Sequence, residues 1–158
     1  MYFPFPIFGL LIPYHMKTRL FLICLLPTLV IMFALNGVFH SGMCNKFFDQ
    51  QLAHLRPVIR TMQHGSVLPL IILEINLAAA MVFFIIRDFP QQVNMRSAMI
   101  TGGLLNIVAA GTWNLANASM FDWPLQIILA DVTWHFLIGI LGGMLISGIY
   151  NQVGKPAN

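Results

Sequence analysis

Four apolar stretches, residues 20–39, 66–86, 97–118 and 125–150, constrain this chain more than any other feature. Each has the length of about 20 predominantly apolar residues that a membrane-crossing helix needs. Lipid offers no partners for backbone N–H and C=O groups, so a segment crossing it must satisfy them within a helix or a closed barrel. The strict alternation of a barrel strand is absent here, so the stretches predict helices. Charge supports this: 58% of the residues are hydrophobic, 8% are charged and the mean hydropathy is +0.80. A soluble domain of average composition carries about 25% charged residues. The fold expected is all-α, an integral membrane four-helix bundle of residues 16–150. Pro69 falls in a first turn, where its missing N–H is harmless, whereas Pro27 is interior and should kink its helix.

Within those apolar stretches the polar residues are unevenly placed. With a rise of 1.5 Å per residue, Asn36, Asn114, Asp131, Glu74 and His135 lie roughly 5–15 Å from the end of the bundle that carries the first connector. Asn117 sits at that edge. Six polar side chains from all four helices thus gather in one half of the bilayer. The faces agree: Asp131, His135, Ile138 and Gly142 share one stripe of the last helix, and Asn106, Ala110, Trp113 and Asn117 share one of the third, with Asn114 at its edge. Glu74 and Asn76 point to nearly opposite faces, so only one can join, and the carboxylate has the greater need. A carboxylate at the centre of a membrane helix costs about 2.5–3.5 kcal/mol even on insertion scales. The expectation is that asparagine donors from the first and third helices, together with His135, compensate Asp131. Asparagines in such positions commonly serve only as interhelical hydrogen bonds, but intramembrane carboxylates are functional by default. The candidate ligand-binding residues are therefore Glu74, Asn114, Asn117, Asp131 and His135. Gly139, Gly143 and Ser147 form a neighbouring small-residue stripe suited to close helix contact, within the chain or in a homo-oligomer.

The connector "NKFFDQQLAHLRPVIRTMQHG" carries Phe48, Leu52, Leu55, Ile59 and Met62 at spacings of 4, 3, 4 and 3. That stripe predicts an amphipathic segment along the membrane surface or against the bundle, bent at Pro57. The first fifteen residues are apolar but broken by Pro4, Pro6 and Pro13, too short to span; they are either an interfacial segment or the product of a start set too early. From Met16, two cations precede a long apolar run without a small-x-small cleavage site, which predicts a retained helix rather than a signal peptide. A polar tail, 151–158, closes the chain. Lys17, Arg19, Arg87, Arg96 and Lys155 lie on one side, and Lys46, Arg56 and Arg60 on the other, which favours cytoplasmic termini in a bacterial inner membrane.

The excess of positive charge is small, +3, and forms no basic cluster, so nucleic acid is not an expected partner. Cys24 and Cys44 are separated by about 30 Å if helical, too far for a disulfide. His40, Cys44, His54 and His64 match no established zinc spacing, and no nucleophile elbow, phosphate-binding loop or paired zinc histidines occurs.

Residues 111–135, "GTWNLANASMFDWPLQIILADVTWH", supported by "FFDQQLAHL" at 47–55, resemble a bacterial family of small four-helix membrane proteins known only as a domain of unknown function. That family typically shows an aromatic–Asp–Leu–Thr–Asn run, then Trp-Pro, then Asp-x-x-Trp-Gly. Trp113, Asn117, Trp123, Pro124, Asp131 and Trp134 match it. Asn114 and Asn36 stand where the family usually has aspartate, and His135 replaces a glycine. The resemblance implies the fold and a membrane location, and no activity. Three functions follow as expectations: binding or moving a membrane lipid or small hydrophobic molecule, modifying lipid with Asp131 and His135 as acid and base, or serving as a structural subunit.

Overall fold

The computed structural model describes residues 18–57, 68–87 and 92–153; the expectations for residues 1–15, for Ile59, Met62 and His64 and for the tail beyond 153 fall outside them. The described residues are all-α. Helix α1 is Thr18–Gly37, followed by a π-helical segment, Val38–Met43, and the short α2, Asn45–Gln51; α3 is Leu68–Arg87, α4 is Met95–Met120 and α5 is Leu125–Val153. Three segments have the length and apolar character to cross a membrane: Thr18–Met43, Leu68–Arg87 and Leu125–Val153. Helix α4 is long enough at 26 residues. Its polar and small positions, from Thr101 to Asn117, make it less apolar than the other three. Among the described residues the α-helices thus number five rather than the four expected, because the first connector contains one of its own.

That connector differs from its expected form. The stripe from Phe48 to Leu55 does not lie on one helix, since α2 ends at Gln51 and a single 3-10 turn, Ala53–Leu55, follows. The break lets Leu55 be buried and brings His54 to the α4–α5 turn, where its Nε2 donates to the carbonyl of Asp122 at 3.0 Å. Helix α1 runs through Pro27 without interruption, and the next residue, Thr28, donates its hydroxyl to the carbonyl of Cys24 at 2.7 Å. Pro69 is the second residue of α3, in the first turn.

Helices α4 and α5 are antiparallel and touch backbone to backbone. A Cβ on Gly102 would overlap the carbonyl oxygen of Gly139, one on Gly139 the carbonyl oxygen of Gly102, and one on Gly143 that of Ala98. Lipid tails are as apolar as leucine, so water expulsion does not drive helices together in a membrane; close packing does, and glycine permits it. Gly139, Gly143 and Ser147 are buried in this way within the chain, against α4 and the residues ahead of it. Asn151 clamps that same end, donating to the carbonyl of Val93 and accepting from its N–H, both at 2.9 Å. The side chain of Asn94 caps α4 by accepting from the N–H of Ser97. Met32, Met81, Ile85, Ile138 and Ile146 fill the space between α1, α3 and α5, and long apolar side chains cover the outside, among them Leu26, Val30, Ile72, Val108 and Leu129.

Candidate functional site

The same antiparallel register that pairs Gly102 with Gly139 carries Asn114 to Asp131, three turns further along α4. Ala98, Gly102, Asn106, Ala110 and Asn114 recur every four residues and are all buried. The inward stripe of α4 is therefore centred on Asn114, not edged by it, and Trp113 faces outward with 60% of its surface exposed. Asn117 half leaves the interface; its amide donates to the carbonyl of Trp113 within its own helix. Of the five expected residues, Asn114, Asp131 and His135 come together directly, Glu74 joins through neighbours, and Asn117 makes no bond to the others. Asn76, on the opposite face from Glu74, is exposed.

Two parallel relays organise the site. The indole N–H of Trp123 donates to Oδ1 of Asn114 at 3.1 Å, and Nδ2 of Asn114 donates to Oδ2 of Asp131 at 2.6 Å. The indole N–H of Trp134 donates to Oδ1 of Asn36 at 3.1 Å, and Nδ2 of Asn36 donates to Oε1 of Glu74 at 2.5 Å. Each is a Trp–Asn–carboxylate chain, and the indoles fix which way each amide points because an indole only donates. The expectation that asparagines from two helices serve Asp131 thus needs correcting: Asn114 serves it, while Asn36 serves Glu74. Asn36 lies at the same end of the bundle as both carboxylates and on the helix of neither, so depth alone does not separate the two pairings.

The other oxygen of Asp131 faces two imidazoles. Nδ1 of His135 and Nε2 of His40 each lie 3.4 Å from Oδ1, and Nδ1 of His135 is also 2.9 Å from the carbonyl of Asp131. His40 reaches this place through the π-helical segment, where the N–H of Cys44 bonds to the carbonyl of Phe39 at 2.8 Å, a five-residue step. The wider turn brings Phe39 to stack on Trp134, with ring centroids 4.4 Å apart and planes 7° apart, and sets His40 beside Phe48 of α2. Sequence reasoning placed His40 with Cys44 and His54 and so missed it here. The available signal was its spacing of four from Asn36, which keeps both on one face. Cys44 is a free thiol, as is the buried Cys24.

The side chains of His40 and His135 keep 29% and 15% of their surface exposed, against 10% for Asp131. Among the described residues, all lysines and arginines are exposed, so no fixed cation enters the cluster. Chemically the arrangement can hold a proton-bearing imidazole against a carboxylate and present the opposite ring nitrogen to a bound molecule. Asp131 and Glu74 each lie about 9 Å along their helices from the connector end.

A family described as "Predicted membrane protein (DUF2177)" matches residues 21–147, a span that holds every residue of the cluster. No curated protein and no solved structure matches the chain.

Proposed function

Because the chain belongs to this family of predicted membrane proteins, we propose that it is a four-helix protein of the bacterial inner membrane that binds or moves a lipid or small hydrophobic molecule. Helix α4 is the fourth span in this reading, supported by its antiparallel course along α5. The termini are cytoplasmic, following the loop charges. Glu74, Asn114, Asp131 and His135 form the binding site, His40 joins them, and Asn117 lies at its rim.

The observation that carries the reading is the partly open Asp131–His135–His40 group in the connector half of the bundle. A carboxylate used only to fix helix register would be better sealed, because ionisable groups in a membrane are costly and normally mark a pathway or a ligand. Native mass spectrometry of the detergent-purified protein tests it. The expected result is a population carrying lipid-sized adducts that survives mild delipidation. A bare protein under every mild condition overturns it.

A second reading is favoured by one feature of His135. Its Nδ1 faces only acceptors on Asp131, so the hydrogen sits there and the lone pair of the neutral ring sits on Nε2, the arrangement of an oriented general base. In that reading the protein modifies a lipid. Incubation with a total lipid extract, followed by lipid mass spectrometry, should then reveal a new species that the His135→Phe protein does not produce.

A further inference from the structure

Helix α3 carries two polar side chains, two residues apart, near the middle of a membrane span. Glu74 is buried and accepts from Asn36. Asn76 is turned about 200° away from it around the helix and is exposed. Eight residues after Leu68 and eleven before Arg87, Asn76 lies about 12 Å and about 17 Å from the two ends of α3. In a hydrocarbon core about 30 Å thick that is close to the midplane. The buried asparagines of α4 use their amides within their own helix: Asn106 donates to the carbonyl of Gly102 and Asn114 to that of Ala110. The Asn76 side chain makes no hydrogen bond among the described residues. A primary amide has two donor hydrogens and an acceptor oxygen, and lipid tails offer neither partner. An amide left so is strongly disfavoured, and it is too short to reach the interface as a lysine would.

The surroundings of Asn76 suit a neighbouring helix. Ile72 and Leu73, one turn back, are exposed, and Ala80, one turn ahead, is half-buried and small enough to let another backbone approach. Gly139 and Gly143 of α5 are already occupied against α4 and offer no such contact.

We propose that this face of α3 joins two copies of the chain in a parallel dimer, fastened by a reciprocal hydrogen-bonded pair of Asn76 side chains. Copies inserted the same way are related by a two-fold axis along the membrane normal, so each residue at the contact meets its own equivalent at its own depth. An amide is complementary to itself there, because Nδ2 of each copy donates to Oδ1 of the other. An unrelated partner would have to bring a polar group to that depth, whereas a second copy does so by symmetry. The dimer goes beyond lipid binding and leaves the Asp131 cluster free, since Glu74 stands on the opposite face of α3.

Disulfide cross-linking of the full chain in membranes tests it. Under mild oxidation Ala80→Cys should give a covalent dimer of two 17.7 kDa chains. Val108→Cys, on the exposed side of α4, should not, and neither should the parent, in which Cys24 and Cys44 set the background. Energy transfer between labelled copies in lipid vesicles then measures association. Asn76→Leu should weaken it about tenfold, the worth of two interhelical hydrogen bonds, with helical content unchanged because the residue faces away from the core. Asn76→Gln, which keeps a donor and an acceptor, should retain most of it. Ala80→Cys cross-linking no better than Val108→Cys overturns the proposal, as does an Asn76→Leu protein that associates as tightly as the parent. A cross-linked product with the mass of one chain plus a different protein assigns the face to another partner and overturns it too. The cross-linking comparison decides even if Asn76→Leu does not fold.

Discussion

At the scale of single residues, Asn114 and Asn36 decide how two carboxylates stay in one half of a membrane bundle. Each amide accepts from an indole and donates to an acid, a division of labour that only a group with both a donor and an acceptor can perform. Both stand where the family resemblance leads one to expect aspartate. Restoring the acid at Asn114 would bring two carboxyl groups within hydrogen-bond distance of each other, where they must share a proton. Asn114→Asp should therefore lower the melting temperature, and lower it more at alkaline than at acidic pH, which a thermal scan in detergent at several pH values measures. Asn114→Leu removes the partners of Trp123 Nε1 and Asp131 Oδ2 together. It should cost about 1–3 kcal/mol for each group left unsatisfied. Equal melting curves for the parent and both variants would mean that the relay contributes nothing.

At the scale of elements, the α4–α5 hairpin sets the site because its register is locked by backbone contact. Gly139→Ala should force the helices apart at Gly102 and destabilise by about 1–3 kcal/mol, whereas Gly148→Ala, with nothing near the added methyl, should be neutral or gain up to about 1 kcal/mol from helix propensity. Thermal melts of the two proteins, differing by one methyl each, make the comparison. The small-residue stripe of α5 and the inward faces of Asp131, His135 and Glu74 were legible in the sequence, because helical periodicity reports which residues share a face. It does not report which neighbouring helix that face meets. For that reason the partner of Asn36 was assigned to the wrong carboxylate. Nor does a 3.6-residue period anticipate the π-helical segment at 38–43, so His40 was read as part of the connector. Trp113 was misplaced for a related reason: its stripe was drawn through spacings of three and four, while the contact with α5 follows a spacing of four throughout.

At the scale of the whole molecule, three helical segments among the described residues have the length and apolar character of a membrane span, and α4 completes an even number in the proposed topology. Cysteine-labelling tags at Gln50 and after Lys155 should then react from opposite sides of the membrane, with the latter cytoplasmic. Labelling from the same side would reject the four-span arrangement, and exchanged sides would reject only its orientation. The central claim, that the Asp131 cluster is a binding site rather than a helix fastener, rests on separating retention of a ligand from stability. Asp131→Asn keeps the shape and part of the hydrogen bonding; Asp131→Leu strands the Asn114 amide and both imidazoles. The most direct measurement is therefore the melting temperature and the co-purified lipid of the parent and these two variants, side by side. The account predicts that Asp131→Asn melts close to the parent but has lost its lipid, and that Asp131→Leu loses both lipid and stability. A leucine variant as stable as the parent and still carrying the same lipid would contradict it.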